Sequence, residues 1–376
     1  LNYQIATNLK SANLLSGRDF TVISRSDSTL RGHYPGEIDA LTTSLDDPFD
    51  GILLIPFFIE GGRLTIGNTH YVTSDEDLIP AGDTEYARDP VFGYHSSDLR
   101  AWVAEKNTQI KAEEVGSISI HDIRLGGPDA VAVKLNALSN GQVCVVNAAS
   151  YRDLEVFVMG LLQVERTGKR FLYRTAASFV RVRGGILPQP LLSNKQMNLV
   201  PGCGLIIAGS YVEKTTQQLQ ALDALPRLQP ITLAVPAVLD ATLRECEIQR
   251  VIDRANAALQ SGQDALIFTS RERISMQTGM TSLGIGQMVS DALVNIVQGL
   301  SHRPAWVIAK GGITASDIAT RGLGVRKAYV LGQVLPGIPV WQTGEESHWP
   351  GLTYVVFPGN VGDANALLNI VRKLRG

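Results

Sequence analysis

Apolar runs of strand length recur along this chain, and a segment with helical periodicity follows each of them. In the first half the runs are Phe20-Thr21-Val22-Ile23, Gly51-Ile52-Leu53-Leu54-Ile55-Pro56, one near 115–120, and Val143-Cys144-Val145-Val146. Helical patterns fall at 1–18, from about Pro35, at 97–106, at 129–139 and at 151–165. The second half restarts the alternation, with strands at 204–208, 231–235, 265–269, 305–309 and 354–357. Its helices are expected near 214–224, 240–261, 290–300 and 364–374. Nearly continuous apolar strands separated by helices are the pattern of parallel sheets covered on both faces. The expected fold is therefore α/β, with two domains, each a mostly parallel sheet flanked by helices, and an active-site cleft between them. A break rich in Gly, Pro and polar residues at 184–197 separates the halves, giving domains at 1–185 and 201–376 with a linker at 186–200. Only 57–94 resists this pattern: it is long, rich in Gly, Thr and Asp, and reads as a functional loop.

A chain of 376 residues, 44% hydrophobic, has ample material for two cores. Its net charge of -2 gives no reason to expect general affinity for nucleic acid or anionic membrane. Cys144, Cys203 and Cys246 lie far apart, and Cys144 sits within an apolar run as a buried thiol. A reduced, cytoplasmic protein is the simplest reading. No apolar run approaches a membrane span. Scattered histidines and the lack of HExxH or CxxC spacing argue against a transition-metal site.

Ligands of such sheets lie beyond the carboxyl ends of strands, where this chain puts its polar and Gly-rich stretches. After the first strand, residues 25–32 carry Arg25, Asp27, Arg31 and the hydroxyls of Ser26, Ser28 and Thr29. Guanidinium groups grip carboxylate or phosphate bidentately, Asp27 can orient or deprotonate a hydroxyl, and Ser28 and Thr29 can meet polyol oxygens. A capped helix start with a surface ion pair is the plainer alternative. Arg63, Thr65 and His70 are candidates to complete a polar pocket. Arg174 belongs to Tyr173-Arg174-Thr175-Ala176-Ala177-Ser178-Phe179, which reads equally well as an amphipathic helix. In the second half, Lys310-Gly311-Gly312-Ile313-Thr314 joins a strand to a helix start, where backbone amides can seat an anion and Lys310 can add charge. Gly209-Ser210 and Pro358-Gly359-Asn360-Val361-Gly362-Asp363 repeat the strand–turn–helix theme. Each of these turns is also what a well-capped connection looks like.

Taken together and in order, Ser26-Asp27-Ser28-Thr29-Leu30-Arg31-Gly32, the 173–179 stretch, Gly209-Ser210, Lys310-Gly311-Gly312-Ile313-Thr314 and the 358–363 stretch closely resemble the four-carbon acid sugar kinase family. The resemblance spans nearly the whole chain. It implies ATP-dependent phosphorylation of threonate, erythronate or an oxo-tetronate, with Mg2+, an N-terminal domain for the sugar acid and a C-terminal domain for ATP. It implies nucleotide contacts at Ser210, Lys310, Gly311, Gly312, Ile313, Thr314 and Gly359. Asp27 and Arg31 would be catalytic, and Arg25, Ser28, Thr29, Arg63 and Arg174 would bind substrate. A homodimer follows as an expectation. Family members open with a strand and an Asp-Asp-x-Thr-Gly-Ala motif upstream of the element at 26–32, and this sequence starts downstream of that point. Ile313 also stands where relatives can carry an acidic residue. Two rival readings are a dinucleotide-dependent oxidoreductase, which lacks its GxGxxG here, and a non-catalytic nucleotide or sugar-acid binding protein.

Overall fold

Gly51–Ile55 lies in the middle of the first sheet because both of its faces are apolar. Leu54 packs into one hydrophobic cluster with Val145 and Leu172, while Leu53 and Ile55 pack into another with Cys144, Val146 and Tyr173. The computed structural model describes residues 1–376 except 19, 46–47, 75–76, 210–212 and 271–281. Contacts divide it into two units, Leu1–Pro188 and Gln189–Gly376.

In the first unit the strands are β1 (Ile23–Arg25), β2 (Gly51–Ile55), β3 (Arg63–Ile66), β4 (Thr69–Ser74), β5 (Asp77–Pro80), β6 (Gly116–Ile118), β7 (Gln142–Val146) and β8 (Phe171–Thr175). Five of them form a parallel sheet in the order β1-β8-β2-β7-β6. Helices Gly36–Leu45, Leu99–Lys106, Gly127–Asn136 and Tyr151–Glu165 bury their apolar stripes in the two clusters. The first strand lies slightly later than the apolar run at 20–23 suggests. Phe20 and Val22 instead pack, partly buried, against the core.

Two features depart from expectation. The 173–179 stretch is not one amphipathic helix: Phe171–Thr175 is a fully buried strand next to β2, and the helix Ala177–Arg183 starts after it. An arginine inside a strand of that kind hides its apolar character. The supposed loop at 57–94 contains β3, β4 and β5, an antiparallel sheet of its own. Its tight β3–β4 turn puts both Gly67 and Asn68 at positive φ, 59° and 66°, a hairpin geometry whose twist matches the flanking strands. Short strands rich in Thr bury too little to announce themselves.

The second unit holds β9 (Leu205–Ala208), β10 (Leu228–Leu233), β11 (Asp264–Thr269), β12 (Trp306–Lys310), β13 (Ala328–Leu335), β14 (Ile338–Thr343) and β15 (Thr353–Phe357). Their order is β10-β11-β9-β12-β15-β14-β13. The first five run parallel; β14 and β13 add an antiparallel edge that periodicity did not suggest. Helices Glu213–Gln220, Arg244–Gln260, Ser282–Gln298 and Ala366–Arg375 flank the sheet. Each unit is thus an α/β domain built on a mostly parallel sheet. Among the described residues no helix is long and apolar enough to cross a membrane.

Candidate active site

Strand register places the polar turns of each unit side by side. In the first unit Arg25, Thr175 and Ile55 are level across β1, β8 and β2, so the turns that follow these strands leave one edge of the sheet together. The turn after β1 is tied by its own side chains. Arg31 Nε donates to Asp27 Oδ2 at 2.9 Å and lies 3.1 Å from Thr29 Oγ1, and the Thr29 hydroxyl donates to the same carboxylate oxygen. Arg31 Nη1 meets Asp89 Oδ2 at 3.5 Å, and its guanidinium lies 5.2 Å from the Tyr86 ring centre. Arg63 covers the same ring at 5.7 Å. The Asp27, Arg31 and Asp89 side chains remain 28, 25 and 23% exposed, so the pair is reachable from solvent. Burial pushes the Asp27 carboxyl up, but the Arg31 charge and the Thr29 and Arg31 hydrogen bonds outweigh it, and its pKa falls below the ordinary value. Asp27 is therefore an ionised carboxylate.

Other predicted residues take different places. Arg25 is exposed at the strand end. Thr29 is buried beneath the carboxylate it serves. Arg63 is 3% exposed, and burial lowers its pKa. Arg174 is 1% exposed: its Nε donates to Glu37 Oε1 at 2.7 Å, and its guanidinium lies 5.2 Å from the Tyr34 ring centre and 5.1 Å from that of Trp102. Thr65 and His70 are fully buried and bonded to each other at 2.9 Å. Asp89, Tyr86 and Glu37 escaped the sequence reading because they come from segments with no motif of their own.

In the second unit Ala208, Lys310 and Phe357 are level across β9, β12 and β15. Gly209 and the turns beginning at Gly311 and Pro358 therefore follow adjacent strands. Gly311 has φ +115°, open to glycine and rarely to other residues, and its N–H donates to Phe357 O at 2.9 Å. Next to it, a Cβ on Gly312 would face open space, and Ile313 is 69% exposed. Thr314 is buried against Gly209, where a Cβ would collide with its hydroxyl. Lys310 is fully buried, with Nζ 3.3 Å from Pro358 O and 4.0 Å from the Phe357 ring centre, so it braces the neighbouring turn. Gly359 is partly exposed on that turn. Gln218, which carried no sequence signal, holds the same turn from below, donating to Val361 O at 3.3 Å and Asp363 O at 2.7 Å. Ser210 lies outside the described residues. No three His, Cys, Asp or Glu side chains converge as metal ligands among the described residues.

Comparison with known proteins assigns the two units. A family model described as a sugar-binding N-terminal domain matches residues 2–183, and one described as a nucleotide-binding C-terminal domain matches 205–367. The chain is 26% identical over 370 residues to a 3-oxo-tetronate kinase of Cupriavidus necator, covering 95% of this chain and 79% of that protein. It is 28% identical over 272 residues to a D-erythronate kinase of Heliobacterium modesticaldum, covering 71% of this chain and 57% of that one. The fold is also that of a Salmonella typhimurium LT2 protein provisionally described as a tRNA synthase, with TM-score 0.65, 18% identity and coverage of 94% and 81%. A Haemophilus influenzae protein from a family of unknown function shares it at TM-score 0.58 and 16% identity, with coverage of 97% and 85%. With both halves matched by its domain models, the chain belongs to the four-carbon acid sugar kinase family.

Proposed function

We propose that this acid sugar kinase transfers the γ-phosphoryl group of ATP to a hydroxyl of threonate, erythronate or 3-oxo-tetronate. The observation that carries the reading is the Asp27–Arg31 pair, an ionised carboxylate locked to a guanidinium yet open to solvent. Phosphoryl transfer asks mainly for positioning and charge neutralisation. Asp27 Oδ1 would accept a hydrogen bond from the substrate hydroxyl and orient its lone pair. A lowered pKa suits orientation better than early proton removal. Arg31 and Arg25 would grip the substrate carboxylate or the transferring group, with Ser28 beside them. Thr29, Arg63 and Arg174 would support this set from behind, as their burial favours.

ATP would lie over the Gly311–Gly312 turn, flanked by Ile313, Ser210 and Gly359, with Lys310 and Thr314 holding the turns in place. The open space at Gly312 supports close approach of a phosphate to the backbone. Mg2+ would enter on the ATP, held by phosphate oxygens and water, a coordination that needs no cage of protein carboxylates. Its charge would offset that of the transferring group. Free thiols at Cys144, Cys203 and Cys246 support a cytoplasmic site of action.

Coupled ADP release with Mg-ATP tests the reading against D- and L-threonate, D- and L-erythronate and their oxo acids. Turnover with one acid is expected. ATP binding with no turnover on any of them would favour a binding protein instead.

A further inference from the structure

We propose that His70 and Tyr94 are positioning residues for this phosphoryl transfer, capturing the backbone carbonyls of Ser28 and Thr29 and so fixing the turn that aims Asp27 and Arg31. The inference rests on the functional reading above, since it assigns the turn its purpose.

His70 lies on β4 with no exposure, and its Nε2 is 2.8 Å from Ser28 O. A carbonyl oxygen only accepts, so Nε2 carries the proton. Nδ1 is then the acceptor, and the Thr65 hydroxyl donates to it from β3 at 2.9 Å. One residue further along the turn, the Tyr94 hydroxyl donates to Thr29 O at 2.8 Å, and it lies 3.3 Å from Ala81 O. Two successive carbonyls are thus held by two buried side chains from the 57–94 segment.

The turn needs holding. Leu30 has φ +67° with its side chain 1% exposed, a conformation that side-chain-bearing residues avoid unless their surroundings enforce it. This reversal brings Arg31 back onto Asp27 Oδ2, the oxygen that Thr29 also meets. The clamp itself stands on a fixed base. Thr65 exchanges both backbone hydrogen bonds with Ala148, at 2.9 and 3.1 Å. Asn68 and Asn147 pair through their side chains and backbone at 2.7 and 2.9 Å. Contacts therefore run from the end of β7, through the hairpin, to the Ser28 carbonyl. His70 and Tyr94 are too deeply buried, at 0 and 3% exposure, to touch a substrate, so they act through the turn.

The test compares wild type with His70→Gln, His70→Asn and Tyr94→Phe in the coupled assay. Gln can carry an amide N–H toward Ser28 O; the shorter Asn stays near Thr65 and does not reach. Asn and Phe should each lower kcat with the acid sugar on the order of 10- to 100-fold, the effect of a small misplacement of reacting groups. The KM for ATP should stay unchanged, and Gln should recover most of what Asn loses. Tyr94→Phe removes a single oxygen, so its reading survives even if the His70 variants fold poorly. Long-range 1H–15N correlation on the free protein should find His70 as the Nε2–H tautomer. Equal kinetics in wild type, His70→Asn and Tyr94→Phe, or an Nδ1–H tautomer, would overturn the proposal. Wild-type silence toward every acid sugar would overturn the functional reading instead, and the tautomer would then decide the clamp alone.

Discussion

Arg174 and Glu37, 1 and 14% exposed, form an ion pair, Nε to Oε1 at 2.7 Å, between the interior strand β8 and the helix Gly36–Leu45 that follows the Asp27 turn. Arg174 Nη2 also lies 3.5 Å from Arg31 O. The pair thus fastens the far side of that turn to the sheet. Removing one partner of such a pair leaves the other charge buried and costs about 3–5 kcal/mol. Arg174→Ala should lower the thermal midpoint by many degrees, while Arg174→Met with Glu37→Gln together should recover much of the loss. Equal melting of wild type and Arg174→Ala would refute the assignment.

Arg31 makes contacts of another kind. Its side chain is a quarter exposed, and its charge is committed only in part to Asp27. A charge-assisted contact to substrate is worth about 1.5–3 kcal/mol, so Arg31→Ala should reduce kcat/KM at least roughly tenfold. Lys should restore only part, because it lacks the planar fork. Steady-state kinetics on the preferred acid sugar measures this directly.

The two neighbouring glycines of the β12 turn should respond in opposite ways. Gly311→Ala forces a Cβ into φ +115° and should destabilise the second unit by about 1–3 kcal/mol. Gly312→Ala meets nothing within 4 Å in the folded chain and should melt like wild type. Its effect should appear as a raised KM for ATP. Paired melts and ATP titrations separate the two cases.

His70 links the turn to pH. Burial, with the Arg63 charge nearby, depresses its pKa to about 4 against the bond to Ser28 O, which raises it. A base with a depressed folded-state pKa binds fewer protons folded than unfolded between about 4 and its ordinary 6.5. Its contribution is thus fully present above pH 6.5 and lost as pH falls toward 4, on the order of 3 kcal/mol in all. His70→Gln should flatten the fall of stability with acid over this window. Denaturant midpoints at pH 7 and pH 4.5 for both proteins would reveal it.

The sequence by itself determined the α/β class, the alternation of the main elements, the family and the turns that carry the candidate chemistry. Apolar periodicity and glycine placement are local, and buried parallel strands such as Gly51–Ile55 and Trp306–Lys310 write them plainly. Only the tertiary structure decided which charged residues face solvent. Asp27, Arg31, Arg63 and Arg174 look alike on the page, yet the last two are buried. Arg174 lies inside because β8 runs between β1 and β2, and a guanidinium there must find Glu37 rather than water. The hairpin β3–β4 and the carbonyl captures by His70 and Tyr94 were equally illegible. The two carbonyl captures depend on pairings 42 and 65 residues apart in the chain, which no local pattern encodes.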